Sequence, residues 1–341
     1  MQGLKWRLLS RVLQSFIVLI GIITITFFLS RVVPSDPAAL WAGQHARPEQ
    51  VERIRHELGL DKPLYIQYII HVQKLFTGDW GISYRTHMPV LEDILQRLPA
   101  TVELTIVATV IAVAIGIPLS ILAAVNKDKI IDKVINLIVG ASALSVPSFW
   151  LALLLQIIFA RTLGILPLQG RLSPEVVEMY PIKHITGLYL IDSLLTGNLV
   201  AFKDALAHII LPALSLACYS IGITIRMTRA SLIEVLREKY IIAAEAFGIP
   251  KSKIRFKYAL KNAIIPTLTI LGITFAWNLM GAYLIECVFN WPGLGTYTWR
   301  AILAADYPVI VATTTLAGFI MLVVNFTIDL IHIYLDPRVK F

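Results

Sequence analysis

The sequence predicts an all-α membrane protein that crosses the bilayer six times. Of its 341 residues, 57% are hydrophobic and only 15% are charged, and the mean hydropathy is +0.73. Soluble domains carry about 25% charged residues, so this chain has too little polar surface to remain in water. Its apolar residues gather in long uncharged runs separated by charged segments. This is the pattern of a polytopic membrane protein.

Six uncharged runs approach the roughly 20 residues that a helix needs to cross about 30 Å of hydrocarbon. Each is predicted to be helical, because lipid offers no hydrogen-bond partner to backbone N–H and C=O groups. The first run is predicted to remain as an anchor helix, because it exceeds a signal-peptide core and lacks a small-x-small cleavage site. The predicted spans are Val12–Ser30, Leu104–Asn126, Val134–Ala160, Ile209–Ile225, Ala263–Ile285 and Val309–Ile328.

The basic residues indicate which ends of the spans face the cytoplasm. With the N-terminus inside, the inner segments hold 17 of the 30 Lys and Arg residues, although they are the shorter part of the chain outside the membrane. The positive-inside rule therefore predicts that both termini are cytoplasmic. Cysteines at Ser83 and Ser173 should then react with an impermeant maleimide from outside, and one at Ser252 only after permeabilisation. The inner segments are 1–11, 127–133, 226–262 and 336–341.

This topology divides the chain into four predicted parts. An N-terminal transmembrane helix, 1–30, is followed by an extracytoplasmic subdomain, 31–103. The subdomain is large enough either to dock an outer partner or to cover the helix ends. A core of five transmembrane helices, 104–335, contains the cytoplasmic loop 226–262 and is followed by a cytoplasmic tail, 336–341.

Two helices are predicted inside the outer subdomain. Glu49–Leu58 has an amphipathic pattern and is closed by Gly59. Leu64–Phe76 is a second apolar-rich candidate, and prolines break the stretch before the first helix. The subdomain is therefore expected to be helical like the rest of the chain.

The inner loop 226–262 contains a short helix of small residues. Ala230–Tyr240 has good helix formers throughout, and Ile241–Phe247 continues with alanines near its centre. Gly248, followed two residues later by proline, is a helix stop signal, and a new helix is predicted to begin at Ser252. The small alanine side chains would let another protein approach closely. The alternative interpretation is an ordinary basic loop that follows the positive-inside rule.

The residues of this loop resemble the EAA loop of ABC importer permeases. The pattern is Ala243-Ala244-x-x-x-Gly248, followed by Ala259-Leu260. In that family the loop forms the coupling helix, which sits in a groove of the cytoplasmic ATPase. Ile242 replaces the family's Glu and Lys261 stands where many members have Pro, a version similar to the dipeptide, oligopeptide and nickel branch. The resemblance assigns ATPase coupling to Tyr240, Ala243, Ala244, Glu245 and Gly248.

Further motifs similar to that branch extend over nearly the whole chain. Each one alone is a weak signal, but their order and spacing together are specific. They are Asp36-Pro37, Leu58–Pro63, Gly78–Ser83, Pro99–Leu104, Phe289–Gly295, Asp306-Tyr307-Pro308 and Asp336-Pro337-Arg338.

The resemblance implies a type I ABC importer permease fold and a division of labour among subunits in a prokaryotic inner membrane. A solute-binding protein would deliver substrate outside, this chain and a second homologous permease subunit would form the path, and two cytoplasmic ATPase subunits would bind ATP and Mg. No cofactor is expected on this chain, whose sequence contains no G-x-x-x-x-G-K-[ST] phosphate-binding loop. Di- and oligopeptides are the expected cargo, with nickel, glutathione or oligosaccharides as alternatives.

Other classes of protein fit the sequence less well. Secondary transporters usually show internal repeats, which this sequence lacks, and they have no coupling loop. A membrane-embedded enzyme is disfavoured because the sequence contains neither H-E-x-x-H nor G-x-S-x-G, and its seven histidines show no metal-ligand spacing. The net charge of +8 follows from the topology, so no nucleic acid is expected as a partner.

Four polar residues near or within the spans are candidates for the translocation path. Asn278 lies about 22 Å into span five at the helical rise of about 1.5 Å per residue, and Asn325 is similarly deep in span six. Glu103 and Glu286 lie at the outer ends of spans two and five. Polar groups at such positions often mark a transport path, while the alternative for the two amides is hydrogen bonding between helices.

Overall fold

The structure, a computed structural model, describes residues 2–32, 37–43, 46–57 and 59–335. The predicted tail 336–341 lies outside the described residues, and so do Asp36 and Leu58 of the motifs. The described residues form helices and no strand, with one isolated β-bridge between Ile82 and Pro89. The predicted all-α class is confirmed.

Eighteen α-helices occupy the described part of the chain, and three stretches of wider π-helical turns adjoin them. The α-helices are α1 Gln2–Val32, α2 Pro37–Ala42, α3 Pro48–Glu57, α4 Leu64–Thr77, α5 Val90–Val125, α6 Ile130–Val134, α7 Ser142–Ser145, α8 Ser148–Leu155, α9 Pro174–Met179, α10 Tyr189–Leu195, α11 Leu199–Val235, α12 Lys239–Ala246, α13 Lys251–Lys253, α14 Leu260–Ala263, α15 Ile265–Gly281, α16 Tyr283–Val288, α17 Leu294–Leu303 and α18 Tyr307–Leu335. The π-helical stretches are Ile135–Ala141, Gln156–Thr162 and Ile254–Ala259.

Three helices among the described residues are long and apolar enough to cross a membrane, and a bent pair makes a fourth if it is one span. The three are α5, α11 and Tyr307–Ile331 of α18. The bent pair is Lys251–Ala263 with Ile265–Gly281, whose axes differ by 53°. The number of six spans therefore stays a prediction, although most residues of each predicted run are helical.

The two remaining predicted spans contain shorter apolar helices. One of them is the stretch Leu13–Phe28, which lies inside the 31-residue helix α1. The third predicted span is interrupted at Pro147, which has extended backbone, and its apolar helix Ser148–Thr162 begins only after this residue. Proline disfavours the helical conformation for the residue before it, which explains the interruption.

The chain divides into two compact units. The first, Met1–Leu98 with Tyr297–Val323, packs α1 against α4 through the buried ring of Phe27. The ring centroids of Tyr68 and His71 both lie 5.4 Å from that of Phe27. The second helix predicted here is confirmed as α4, and it ends at Gly78, whose φ is +85°.

The second unit, Pro99–Thr296 with Val324–Phe341, is built around α11. This helix packs against α8, α10 and α15, and small residues along it let its neighbours approach closely. Gly116 of α5 faces Thr224 of α11 so closely that a Cβ at position 116 would lie 2.7 Å from a Thr224 methyl carbon.

Candidate functional site

The predicted coupling segment forms a separate short helix, α12. The sequence expectation of a continuous helix over Ala230–Tyr240 is wrong, because α11 ends at Val235 and α12 begins at Lys239. Ile241 and Ala244 of α12 are buried, in a cluster that also contains Leu232. The apolar spacing of three residues places both side chains on one face of the helix, and this face anchors α12 to the rest of the unit.

The opposite face of α12 is exposed. It carries Ala243 and Glu245, two of the residues predicted to couple to an ATPase, together with Ile242. The alanine pair is therefore divided: Ala244 packs inward, and Ala243 lies on the accessible face.

Gly248 ends α12 with a left-handed residue. Its φ is +71°, a conformation that glycine adopts at little cost. The Gly248 N–H donates to the Glu245 carbonyl at 2.9 Å, and the Ile249 N–H donates to the Ala244 carbonyl at 3.1 Å. These two bonds form a Schellman motif, so the predicted stop signal at this glycine is confirmed.

Large apolar side chains surround this stop on the exposed surface. Phe247 is 86% exposed, Phe256 is 59% exposed and Ile242 is 57% exposed. Sequence reasoning that weighed only the small residues missed them. The signal that could have identified them is the presence of large apolar residues in a loop otherwise rich in lysine and arginine. An exposed apolar cluster commonly marks an interaction surface.

Tyr240 connects the first turn of α12 to α14 at the end of the loop. Its hydroxyl accepts a hydrogen bond of 2.8 Å from the Asn262 side-chain amide. The side chain is partly exposed, so Tyr240 can hold α12 in place and still present one side of its ring outward.

An ion pair joins the segment before α12 to the loop after α5. Arg229 on α11 donates to both carboxylate oxygens of Asp132, with distances of 2.6 and 2.5 Å. The Asp128 N–H and the Asn136 amide also donate to this carboxylate. The Arg229 contact lowers the pKa of Asp132 below its usual range, against the opposing effect of burial. The sequence offered no signal for this pair.

The candidate path residue Glu103 belongs to a buried ion pair in the second unit. It is 5% exposed, and it accepts hydrogen bonds from Arg171 at 2.5 Å and from the Leu190 N–H at 2.7 Å. The Arg171 guanidinium also lies 3.6 Å from the ring centroid of Tyr189. These contacts connect α5 to the loop between α8 and α11.

Glu286 is enclosed in a second network and is fully buried. Its carboxylate accepts hydrogen bonds from the Thr101 hydroxyl at 2.6 Å and from the Thr296 N–H at 2.7 Å. The Leu294 N–H in turn donates to the Thr101 hydroxyl at 2.8 Å. A Cβ at Gly293 would collide with the Glu286 carboxylate. The Phe289–Gly295 motif thus forms the cover over this carboxylate.

The two asparagines occupy different environments. Asn278 is partly buried on α15, and Asn325 is exposed on α18. Neither side chain is enclosed within the chain, in contrast with both carboxylates. A role in a path remains a prediction for all four residues.

The chain matches two protein-family models along most of its length. Residues 116–341 match the binding-protein-dependent transport system inner membrane component. Residues 4–105 match the N-terminal part of a binding-protein-dependent transport system membrane component.

The chain belongs to this family.

Curated relatives resemble the permease over nearly its full length. It is 43% identical, over 95% of this chain and 94% of the relative, to a probable D,D-dipeptide transport system permease protein of Escherichia coli strain K12. It is 38% identical, over 98% of each chain, to a dipeptide transport system permease protein of Alkalihalophilus pseudofirmus. It is 36% identical to the dipeptide transport system permease protein of E. coli K12, over 98% and 97% of the two chains.

A solved structure supports the fold. The MetNI methionine ABC transporter, in inward-facing conformations, has a chain that aligns with 73% of the permease, with 98% of that chain covered, 18% identity and a TM-score of 0.53. The permease therefore has the ABC importer permease fold and is a multi-pass inner-membrane subunit of such an importer. It is a transport component and not an enzyme, and ATP hydrolysis belongs to separate subunits.

Proposed function

We propose that the permease carries di- and oligopeptides that a solute-binding protein delivers, along a path formed with a second homologous permease subunit. The peptide assignment rests on the substrates for which its relatives are named. The E. coli and Alkalihalophilus proteins are named as dipeptide permeases, and a di/tripeptide permease of Pseudomonas aeruginosa is 37% identical over 94% of both chains.

The proposed path runs between spans of this chain and its homologue, with Asn278 and Asn325 facing it. Both amides are accessible from outside the chain, and an amide can exchange hydrogen bonds with a peptide backbone without trapping a charge. Glu103 and Glu286 would then stabilise the outer ends of the helices, because their carboxylates are occupied by partners within the chain.

Two cytoplasmic ATPase subunits with ATP and Mg would drive the cycle, one of them docked on α12 and Gly248. Three features support this assignment: an anchored inner face, an accessible outer face and the exposed ring of Phe247. A hydrophobic anchor inserted in a pocket of a partner typically dominates the energy of such a contact. Both termini would then be cytoplasmic, on the same side as this loop.

Reconstitution tests the substrate assignment. The assembled importer, placed in proteoliposomes with its solute-binding protein, should accumulate di- to pentapeptides only when ATP is supplied. Uptake of Ni²⁺ with no uptake of peptides would overturn the peptide assignment and leave the permease assignment intact. Peptide uptake driven by an ion gradient without ATP would contradict the coupling model.

A pair of alanine variants tests the coupling surface. Phe247→Ala should weaken copurification of the ATPase subunits and lower transport severalfold, because it removes the most exposed ring of the loop. Ile130→Ala is the matched control, since Ile130 is 79% exposed but lies in the other inner loop. Equal effects of the two substitutions would argue against docking at Phe247.

A further inference from the structure

The first compact unit contains a cavity of about 280 Å³ between α1, α4 and the first turns of α18. Aromatic rings form much of its wall, including those of Trp41, Tyr84 and Tyr307. Arg31 and His71 also line it. A cavity that combines rings with a cationic group suits a ligand that has both an apolar part and an anionic part.

Arg31 lacks a carboxylate partner in the described part of the chain. Its Nε is buried and has no hydrogen-bond acceptor there, and its guanidinium lies 5.5 Å from the ring centroid of Phe27. The carboxylate in the cavity wall, Asp79, is already bound by Lys74 at 3.1 Å and by the Gly81 N–H. A half-buried cation without a counterion is costly, so an anion that reached Arg31 would be held strongly.

Two neutral donors lie beside this cation. Burial, followed by the nearby charges of Arg31 and Lys74, lowers the pKa of His71 to about 4, so its imidazole is neutral near pH 7. The Nε2 atom of His71 is buried and has no partner among the described residues. Burial raises the pKa of Tyr84 to about 12, which keeps its phenol protonated. A guanidinium, an imidazole and a phenol together form a donor set for an oxyanion.

The cavity lies at the ends of two apolar helix stretches. Arg31 follows the apolar stretch Leu13–Phe28 of α1, and Tyr307 begins the apolar stretch of α18. Arginine and aromatic residues at the ends of membrane helices commonly contact lipid headgroups. Large apolar side chains on α1 and α4 are exposed, with Ile25 and Ile69 as examples, and these suit acyl chains.

We infer that this cavity binds the phosphate of a phospholipid headgroup, with Arg31 as the charged contact and His71 and Tyr84 as neutral donors. The acyl chains lie along the exposed apolar faces of α1 and α4. The bound lipid then fastens the extracytoplasmic subdomain to the bilayer, a role separate from substrate transport.

Lipid retention by the purified, assembled importer tests this inference. Native mass spectrometry would count bound lipid after titration with phosphatidylglycerol, with diacylglycerol of the same acyl chains, or with glycerol 3-phosphate. Phosphatidylglycerol should bind and raise the unfolding temperature, whereas diacylglycerol lacks the phosphate and glycerol 3-phosphate lacks the chains. Arg31→Gln should weaken phosphatidylglycerol binding about tenfold, because a hydrogen-bonded charge pair is lost.

Arg53→Gln is the matched control, because Arg53 is an exposed arginine of the same unit that lies outside the cavity wall. If the Arg31→Gln variant does not assemble, Arg31→Lys replaces it. This variant should bind phosphatidylglycerol more weakly than the wild type does, because lysine lacks the planar guanidinium that can donate two parallel hydrogen bonds. Equal binding of diacylglycerol and phosphatidylglycerol by the wild-type complex would overturn the phosphate contact. If glycerol 3-phosphate raised the unfolding temperature as much as phosphatidylglycerol does, the ligand would not be a lipid. If the Arg31 variants bound phosphatidylglycerol as well as the wild type does, Arg31 would not be the charged contact.

Discussion

Arg229 and Asp132, 97 positions apart, form a two-point ion pair in which the Arg229 Nε lies 2.6 Å and Nη2 lies 2.5 Å from the carboxylate oxygens. Asp132 is buried and precedes a π-helical stretch, whereas Arg229 lies near the C-terminal end of α11. The pair therefore connects the short loop after α5 to the helix that leads into α12. A movement of α12 would reach the loop after α5 through this contact.

Arg229→Gln should destabilise the permease by on the order of 3 kcal/mol and lower transport, because it leaves the buried Asp132 carboxylate without its cationic partner. The exchange Arg229→Asp with Asp132→Arg should restore part of both. Thermal unfolding and peptide uptake would be measured together. Lys133→Gln serves as control, since Lys133 is exposed in the same loop, and an equal loss in that variant would contradict a specific role of the pair.

Gly248→Val should reduce transport more than Gly197→Val does. Both glycines have positive φ, +71° and +68°, and an added Cβ meets nothing within 4 Å at either position. The backbone cost is therefore similar, roughly 1–2 kcal/mol, and only Gly248 lies on the proposed ATPase contact. Uptake would be compared at matched expression, and Gly248→Asn should be tolerated better, because asparagine adopts the left-handed conformation more readily. Equal uptake in the two valine variants would contradict the proposal that Gly248 lies on the docking surface.

Gly293→Ala should destabilise the permease by a few kcal/mol, because the new methyl group would collide with Glu286 and Thr101. Gly281→Ala makes a good comparison. Gly281 ends α15, and a Cβ there meets nothing within 4 Å, so this change should be neutral or stabilising by up to about 1 kcal/mol. Thermal unfolding in detergent measures both. Equal stability of the two variants would show that the cover over Glu286 can move aside.

Asp192 should make stability depend on pH in acid. Burial alone would raise its pKa, but hydrogen bonds from the Thr186 hydroxyl and from the N–H groups of Thr186, Ile185 and Gly187 outweigh burial and lower it. Because the folded pKa is below the ordinary 3.8, the stabilisation is complete above that pH and is lost as the pH falls through the folded value. Asp192→Asn should make the unfolding temperature depend less on pH between about pH 5 and pH 2. Glu178→Gln, at an exposed residue, should leave the pH dependence unchanged. If Asp192→Asn had the same pH dependence of the unfolding temperature as the wild type, Asp192 would not be its cause.

Cysteine labelling in a background without Cys218 and Cys287 tests the proposed orientation. Ser252 is exposed in the proposed cytoplasmic loop, and Met179 is exposed in the segment between α8 and α11. Met179→Cys should react with an impermeant maleimide in intact cells, and Ser252→Cys only after permeabilisation. Labelling of position 252 from outside would reverse the orientation. Ser83, which the sequence suggested as an outer site, is unsuitable, because it is fully buried and donates to Asp306.

Local signals were sufficient for several parts of the permease. Composition and long apolar runs predicted the all-α membrane class, because backbone groups in lipid must bond within their own segment. Gly248 and the proline after it predicted the end of α12, and Leu64–Phe76 predicted α4 nearly to the residue. Each of these signals acts over a few neighbouring residues and can be read from the order of the chain.

Local signals also misled where tertiary contacts prevailed. The strong helix formers of Ala230–Tyr240 predicted one helix, yet the chain turns between α11 and α12, where Ile241 and Ala244 reach a buried cluster. Burial of apolar area outweighs the few tenths of a kcal/mol that separate helix propensities.

The sequence by itself determined that the chain is helical, apolar enough for a bilayer and equipped with a short helix that ends at Gly248. Only the tertiary structure decided that Glu103 pairs with Arg171, that Glu286 pairs with Thr101, and that Arg31 is left beside a cavity. Propensity, capping and hydropathy depend on neighbours along the chain. The partner of a buried charge depends on which distant segments pack beside it, and a single sequence carries no local mark of that choice.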